Sequence, residues 1–428
     1  MKHKIVTIIF LCTFVVTNAQ VKSVQEQAKI VNDILSYRIN NLLPELMTKH
    51  NIDCWVMITR EYNEDPIVKT FLPAEWLSAR RRTVLVFYNN PSTGQLEKYA
   101  IARYSIGKDI KAAWDVEKTP NQWEALSNLI RKLNPKQIAL NTSSDYGHAD
   151  GLDYTEFTEF KDALVGADKQ KIISSQPLAV AWLETRTEEE MKNYPTLLSI
   201  THAIIKEGFS NKVIQVDKTT TSDLEWWFRQ KLSDMGLGTW FHPSVEIQRR
   251  DSTNKDEVIH RGDFLHCDFG ISYLRLNSDV QEQAYVLRPS EQTVPSDLQA
   301  AFSKTNQLQD ILTSSFALGK SGNEILENAL STAKTQGIKA SIYTHPIGFH
   351  GHAAGPTIGM WDMQNGVPGS GDYKMNTNTC YSIELNAMHN LKGWDQPVRV
   401  ALEQNGVFNG TTFKYIDGRQ TKIIPIKL

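Results

Sequence analysis

Cysteine is scarce and scattered: Cys12, Cys54, Cys267 and Cys380 are the only four in 428 residues, with no C-x-x-C pair. That excludes a disulfide framework and thiolate zinc sites of the usual spacing. At most one bridge can join Cys54, Cys267 and Cys380, so stability must come from packing. Net charge is also nearly missing. Against 48 Asp+Glu there are 46 Lys+Arg, giving −2, so no overall basic footprint marks the chain for nucleic acid. No apolar run reaches the about 20 residues a helix needs to cross a bilayer. Repeats of fixed period and low-complexity tracts are absent too. The composition, 41% hydrophobic and 22% charged, is globular and excludes a disordered chain. The length exceeds one ordinary core, which predicts two domains of roughly 100–200 residues.

Lys2, His3 and Lys4 precede an apolar run from Ile5 to Val16, and Thr17-Asn18-Ala19 places a small residue after it. This pattern predicts a secretory signal peptide over residues 1–19. The mature chain is then expected to be exported, periplasmic or secreted, and free of the membrane after cleavage.

Residues 20–178 alternate strand-like and helix-like segments, which predicts an α/β domain. Cys54–Thr59, Thr83–Tyr88 and Gln137–Leu140 are the β-rich runs, and 121–133 has helical spacing. A boundary is expected near Ser174–Pro177. Over 179–428 the pattern is α+β. Thr187-x-x-Glu190 opens a helix over 188–207, and Ser222-x-x-Glu225 opens another that ends at Gly236. Leu224, Trp227, Phe228, Leu232 and Met235 share a face of that second helix, and Trp226 and Trp227 are both assigned to the core. Further helices are expected over Ser296–Phe316 and Asn323–Lys334.

Metal-competent residues concentrate after residue 260. Asp268 and Asp279 stand eleven apart around Gly270 and Asn277-Ser278, which permit a turn or bulge. In one flat strand that odd spacing would split them between faces. Thr344-His345-Pro-Ile-Gly348-Phe-His350-Gly-His352 gathers three of the eleven histidines. Glu384 and Glu403 each sit in an apolar, β-like run, where a carboxylate is costly unless paired or metal-bound. The plainer reading makes them outward residues on an edge strand. Four carboxylates and one imidazole suit Mn²⁺, Zn²⁺ or Co²⁺, and the count fits two ions about 3.5–4 Å apart.

In that order, Asp268, Asp279, His345-Pro-Ile-Gly348, His352, Glu384 and Glu403 resemble the signature of the pita-bread metallopeptidases. That family holds aminopeptidase P, Xaa-Pro dipeptidase (prolidase), methionine aminopeptidase and the metal-free relative creatinase. The resemblance covers about 180–428, and residues 25–175 look more loosely like the creatinase/prolidase N-terminal domain. It implies that Asp268 binds one ion alone, that Asp279 and Glu403 bridge both, and that His345 and Glu384 complete the second. Glu384 would also handle the proton of the attacking water, and His352 would face the substrate carbonyl or its oxyanion. His350 has no implied role. Peptide is the implied substrate, Xaa-Pro bonds the implied class, and a homodimer an expectation from relatives.

The sequence departs from the pattern in three places. A histidine usual 18–21 residues before the first Asp is replaced by Ile247-Gln248-Arg249-Arg250, with His242 and His260 nearest. Thr344 stands for the Gly before the motif histidine, and Glu384-Leu385-Asn386 for Glu-Pro-Gly. Two rival readings follow: a creatinase-like hydrolase of a small non-peptide substrate, and a silent binding protein.

Overall fold

The computed structural model describes residues 21–427; the expected signal segment lies outside the described residues. In the N-terminal half, helices α1 (Val24–Tyr37) and α2 (Leu43–Lys49) flank a wide turn at Arg38–Leu42. A six-stranded mixed sheet follows. Its strands are β1 (Cys54–Arg60), β2 (Arg82–Asn90), β3 (Gln95–Ile101), β4 (Lys111–Ala112), β5 (Ile138–Leu140) and β6 (Ile172–Ser174), in the order β4-β3-β2-β1-β5-β6. β1 pairs antiparallel with β2 and parallel with β5. Helices α3 (Pro66–Phe71), α4 (Gln122–Leu133), α5 (Tyr154–Ala163) and α6 (Gln176–Glu184) complete this half. The central strands β1, β2 and β5 are buried on both faces because one face packs on α2, α3 and α6 and the other on α4 and α5. Helix α6 begins where the boundary is expected, yet Leu178–Leu183 lie inside the first core.

The second half opens with α7 (Glu188–Gly208), whose Thr187–Glu190 capping box forms as expected. Helix α8 (Thr221–Asp234) starts differently. Its capping box is Thr220–Asp223, because Glu225 is engaged elsewhere, accepting from the Val245 N–H at 2.9 Å. Leu224, Phe228 and Leu232 are buried, whereas Trp226 is 61% exposed and packs beside His242, not in the core.

Strands β7 (Ser244–Gln248), β8 (Phe264–Phe269), β9 (Ser272–Tyr273), β10 (Leu276–Asn277) and β11 (Val280–Val286) come next, then α9 (Ser296–Ser314) and α10 (Gly322–Thr335). The remaining strands are β12 (Ala340–Ile342), β13 (His345–Pro346), β14 (Thr379–Ser382), β15 (Leu385–His389), β16 (Val398–Leu402), β17 (Asn405–Phe408), β18 (Phe413–Tyr415) and β19 (Ile424–Ile426). One sheet runs β19-β11-β8-β7, a second β12-β15-β16 and a third β13-β14-β17-β18. Among the described residues no helix is long and apolar enough to cross a membrane.

Three chain segments cross from the second sheet to the third at one level. β12 gives way to β13 at Tyr343–Thr344, β15 meets β14 at Ile383–Glu384, and β16 passes to β17 at Glu403–Gln404. The crossings are tied together: the Ile383 N–H donates to Gln404 O at 2.9 Å, and Tyr343 N–H to Glu384 O at 3.1 Å. A strand that leaves its ladder there can turn its side chain into the gap between sheets.

Candidate metal centre

The two aspartates converge through the β8–β11 hairpin. Register pairs Asp268 with Gln281, and Asp279 lies two residues before Gln281, so all three side chains share one face. The reversal between them falls at Leu274–Arg275, both left-handed at φ 53° and 64°, and not at Gly270 or Asn277-Ser278. Gly270 serves another purpose: a Cβ there would stand 2.4 Å from Ser278 O. Asn405 then clamps Asp279, its Oδ1 accepting from the Asp279 N–H at 3.1 Å and its Nδ2 donating to Asp279 O at 2.9 Å.

Glu384 and Glu403 occupy the crossing points described above, not edge strands, and Glu403 is 1% exposed. His345 lies on β13 opposite Ser382. Ligand atoms of Asp268, Asp279 and Glu403 lie within 4.8 Å of one another, as do those of His345, Glu384 and Glu403, and those of Asp279, His345 and His352. All six site residues expected from the sequence therefore meet in one place.

Their electrostatics are unbalanced. Burial pushes the Asp268, Asp279 and Glu384 carboxyls well above the usual range, and the charge of Glu403 adds to each. Burial also works against Glu403, but the His345 imidazole and hydrogen bonds from Ser382 and Gln281 outweigh it and hold that carboxyl low. His345 Nδ1 lies 2.9 Å from Pro346 O. A carbonyl only accepts, so Nδ1 carries a proton and Nε2 is the ring nitrogen left to face the carboxylates. That Nε2 stands 3.7 Å from Asp279 and 3.6 Å from Glu403, beyond hydrogen-bond reach. His345 Nε2, Asp268 Oδ1 and Asp279 Oδ1 are buried without a hydrogen-bond partner. Buried polar atoms that converge without bonding one another are satisfied by a cation placed between them. The donor set thus fits divalent ions.

His352 sits at the rim, its ring 4.8 Å from that of His345 and 5.0 Å from Trp240. Burial, then His345, pushes its pKa down to about 4, so it is neutral near pH 7. Trp240 is held by its Nε1–H bond to Ser278 O at 3.0 Å. It lies so close to Gly351 that a Cβ there would meet the ring at 2.2 Å. Tyr343 stands beside both histidines, 5.4 Å and 5.7 Å away. His350 points away, packing on His148 of the N-terminal half at 4.3 Å.

Sequence reasoning missed Gln281, Ser382, Trp240 and Tyr343. The strand 280–286 is buried throughout although it carries the polar run Gln281-Glu282-Gln283, and that run in a β-rich stretch is the one signal that could have singled out Gln281. Where the usual upstream histidine is missing, the residues pin the scaffold. Gln248 exchanges two hydrogen bonds with the Arg399 backbone, and Arg249 pairs with Asp263 at 2.9 Å. His242 packs on Trp226 and His260 lies between Asp217 and Asp256.

Paired carboxylates and an imidazole in a split-sheet cleft define a metallohydrolase centre. Residues 196–410 match the profile of Metallopeptidase family M24, and the chain belongs to that family. No curated protein matches the chain at a significant level. Solved structures of similar fold include an X-Pro aminopeptidase from Thermotoga maritima, with 16% identity, a TM-score of 0.63, and coverage of 88% of this chain and 98% of that one. An Xaa-Pro dipeptidase from Bacillus anthracis shares 14% identity at a TM-score of 0.58, covering 94% and 100%. A prolidase from Pyrococcus furiosus shares 13% at 0.55, covering 88% and 99%. The fold is thus an N-terminal α/β domain joined to a pita-bread catalytic domain, and the enzyme class is metallopeptidase.

Proposed function

We propose that the protein is an exported aminopeptidase that removes an N-terminal residue from peptides at Xaa-Pro bonds, using two divalent ions (Mn²⁺, Zn²⁺ or Co²⁺). Asp268 would bind one ion alone, Asp279 and Glu403 would bridge, and His345 and Glu384 would complete the second. His345 Nε2, buried and facing Asp279 and Glu403 at 3.7 Å and 3.6 Å without a hydrogen-bond partner, is the observation that carries this reading. Bound ions would polarise the scissile carbonyl and lower the pKa of a water towards neutrality. The chain supplies the rest. Glu384 Oε1 is held by Gln281 at 2.9 Å, which leaves Oε2 to take a proton and pass it to the leaving amine. His352, neutral and partly open to solvent, donates to the oxyanion as it forms.

Fold similarity to an X-Pro aminopeptidase and an Xaa-Pro dipeptidase supports the bond class. Incubation with Xaa-Pro dipeptides and tripeptides plus added Mn²⁺, Co²⁺ or Zn²⁺ tests it. Release of the N-terminal residue is expected, and no turnover with any of the ions would refute it. For export, mass spectrometry of native protein should find a mature N-terminus near Gln20, and an intact Met1 in a soluble cytoplasmic fraction would contradict it. Light scattering is expected to show a homodimer.

A further inference from the structure

The N-terminal half holds a cleft that the peptidase chemistry leaves without a role. It encloses about 900 Å³ and is lined by Arg80, Arg81, Arg103, Tyr62, Tyr104 and Trp114, among others, a size ordinary for a small-molecule site. Arg82 also reaches it, so four arginines converge in a chain whose net charge is only −2.

The four are not equivalent. Arg82 is spent on Glu156 at 2.6 Å and Glu159 at 2.9 Å. Among the described residues, Arg80, Arg81 and Arg103 form no ion pair. The single carboxylate in the lining, Glu61, is already engaged by the Arg81 N–H at 3.1 Å. Aromatic rings neighbour two of the three free guanidinium groups: Arg80 lies 4.3 Å over Trp76 and 5.4 Å from Tyr104, and Arg103 lies 5.9 Å from Trp114. Guanidinium groups without an ion pair keep N–H donors free to receive an oxyanion.

The backbone of the rim is constrained as well. Tyr62 and Arg81 are left-handed without being glycine, at φ 71° and 54°. The Glu61 N–H donates to Arg81 O at 2.7 Å and fastens the two turns together. Such conformations persist only where surroundings impose them, and they gather at binding sites.

We propose that this cleft binds a small, multiply charged oxyanion, phosphate- or carboxylate-bearing, at a site separate from the metal centre. Isothermal titration of the full, metal-loaded protein with phosphoglycolate and with tricarballylate tests this, since both carry several negative charges and differ in the acid group. Saturable binding of at least one is expected, and the tighter of the two tells phosphate from carboxylate recognition. The Arg80→Gln/Arg103→Gln double variant alters two exposed side chains outside the catalytic machinery. It should bind at least about tenfold more weakly while hydrolysing peptide at the wild-type rate. No saturable binding of either anion would overturn the proposal. So would equal affinity in the double variant, which would place the anion at the metal centre. Binding of a single-stranded oligonucleotide with neither small anion would overturn it too.

Discussion

Gln281 Nε2 donates to Glu403 Oε2 at 2.8 Å. The same amide reaches Glu384 Oε1 at 2.9 Å, and its oxygen meets His266 Nε2 at 2.8 Å. Carboxylates only accept, so the Gln281 NH2 faces them, and its oxygen then accepts from the His266 Nε2–H. One side chain therefore sets the spacing of two carboxylates that arrive from different crossing points.

Gln281→Leu should keep the fold while loosening that spacing. Outer-shell partners of metal ligands are worth roughly 10–100-fold in affinity or activity, so chelator titration should show metal held that much more weakly. Unchanged chelator resistance and unchanged kcat would remove Gln281 from the account.

His352 separates chemistry from metal binding. His352→Ala is expected to retain its metal and lose roughly 10²–10³ in kcat, the cost of one oxyanion donor, with KM little changed. A variant with full metal content and wild-type kcat would reduce His352 to a packing partner of Trp240.

Much of this arrangement was legible in the chain. The order and spacing of Asp268, Asp279, His345, Glu384 and Glu403 brought out the centre, because each is a polar residue set in an apolar or glycine-bounded run. Helix α7 was legible from its capping box. The start of α8 was not, because Thr220-x-x-Asp223 and Ser222-x-x-Glu225 overlap and only the tertiary bond from Val245 to Glu225 decides between them. The Leu274–Arg275 reversal was hidden for a similar reason. Two left-handed non-glycine residues carry no local turn signal, and Arg275 is held by bonds to the Leu72 and Pro73 carbonyls of the N-terminal half. Gln281 was hidden since an amide in the run Gln281-Glu282-Gln283 follows no spacing rule.

The loop that carries His350 and His352 rests on a buried triad. Glu190 bridges Arg38 at 2.7 Å and Arg186 at 2.8 Å, and Phe349 lies 4.9 Å and 4.7 Å from those two guanidinium groups. Glu190→Gln leaves two buried cations facing each other, which should destabilise the protein by about 3–5 kcal/mol and lower kcat through Phe349. Urea unfolding checks the first and steady-state kinetics the second; a loss below about 1 kcal/mol would show that the triad is already neutralised by other means.

Glu184 gives a pH signature away from the metal centre. It is 2% exposed, its Oε1 accepts from Asn376 at 2.7 Å, and its Oε2 has no partner. Burial raises its pKa from 4.5 to about 8, with Asn376, Lys49 and Arg186 opposing the rise. Between those values the folded chain holds a proton that the unfolded chain gives up, so stability should fall as pH rises through the window, by about 1.4 kcal/mol per unit. Glu184→Gln removes this term. The Tm advantage of the variant should grow from about pH 5 to about pH 8, and a constant difference would mean that Glu184 ionises normally when folded.

Elemental analysis of the purified protein beside Asp279→Ala and Glu403→Ala, with Xaa-Pro hydrolysis followed on the same samples, decides whether these residues hold catalytic metal. Two divalent ions per chain are expected in the wild type, and in both variants loss of metal together with loss of activity. Undiminished two-metal occupancy in both variants would contradict the assignment of Asp279 and Glu403 as bridging ligands.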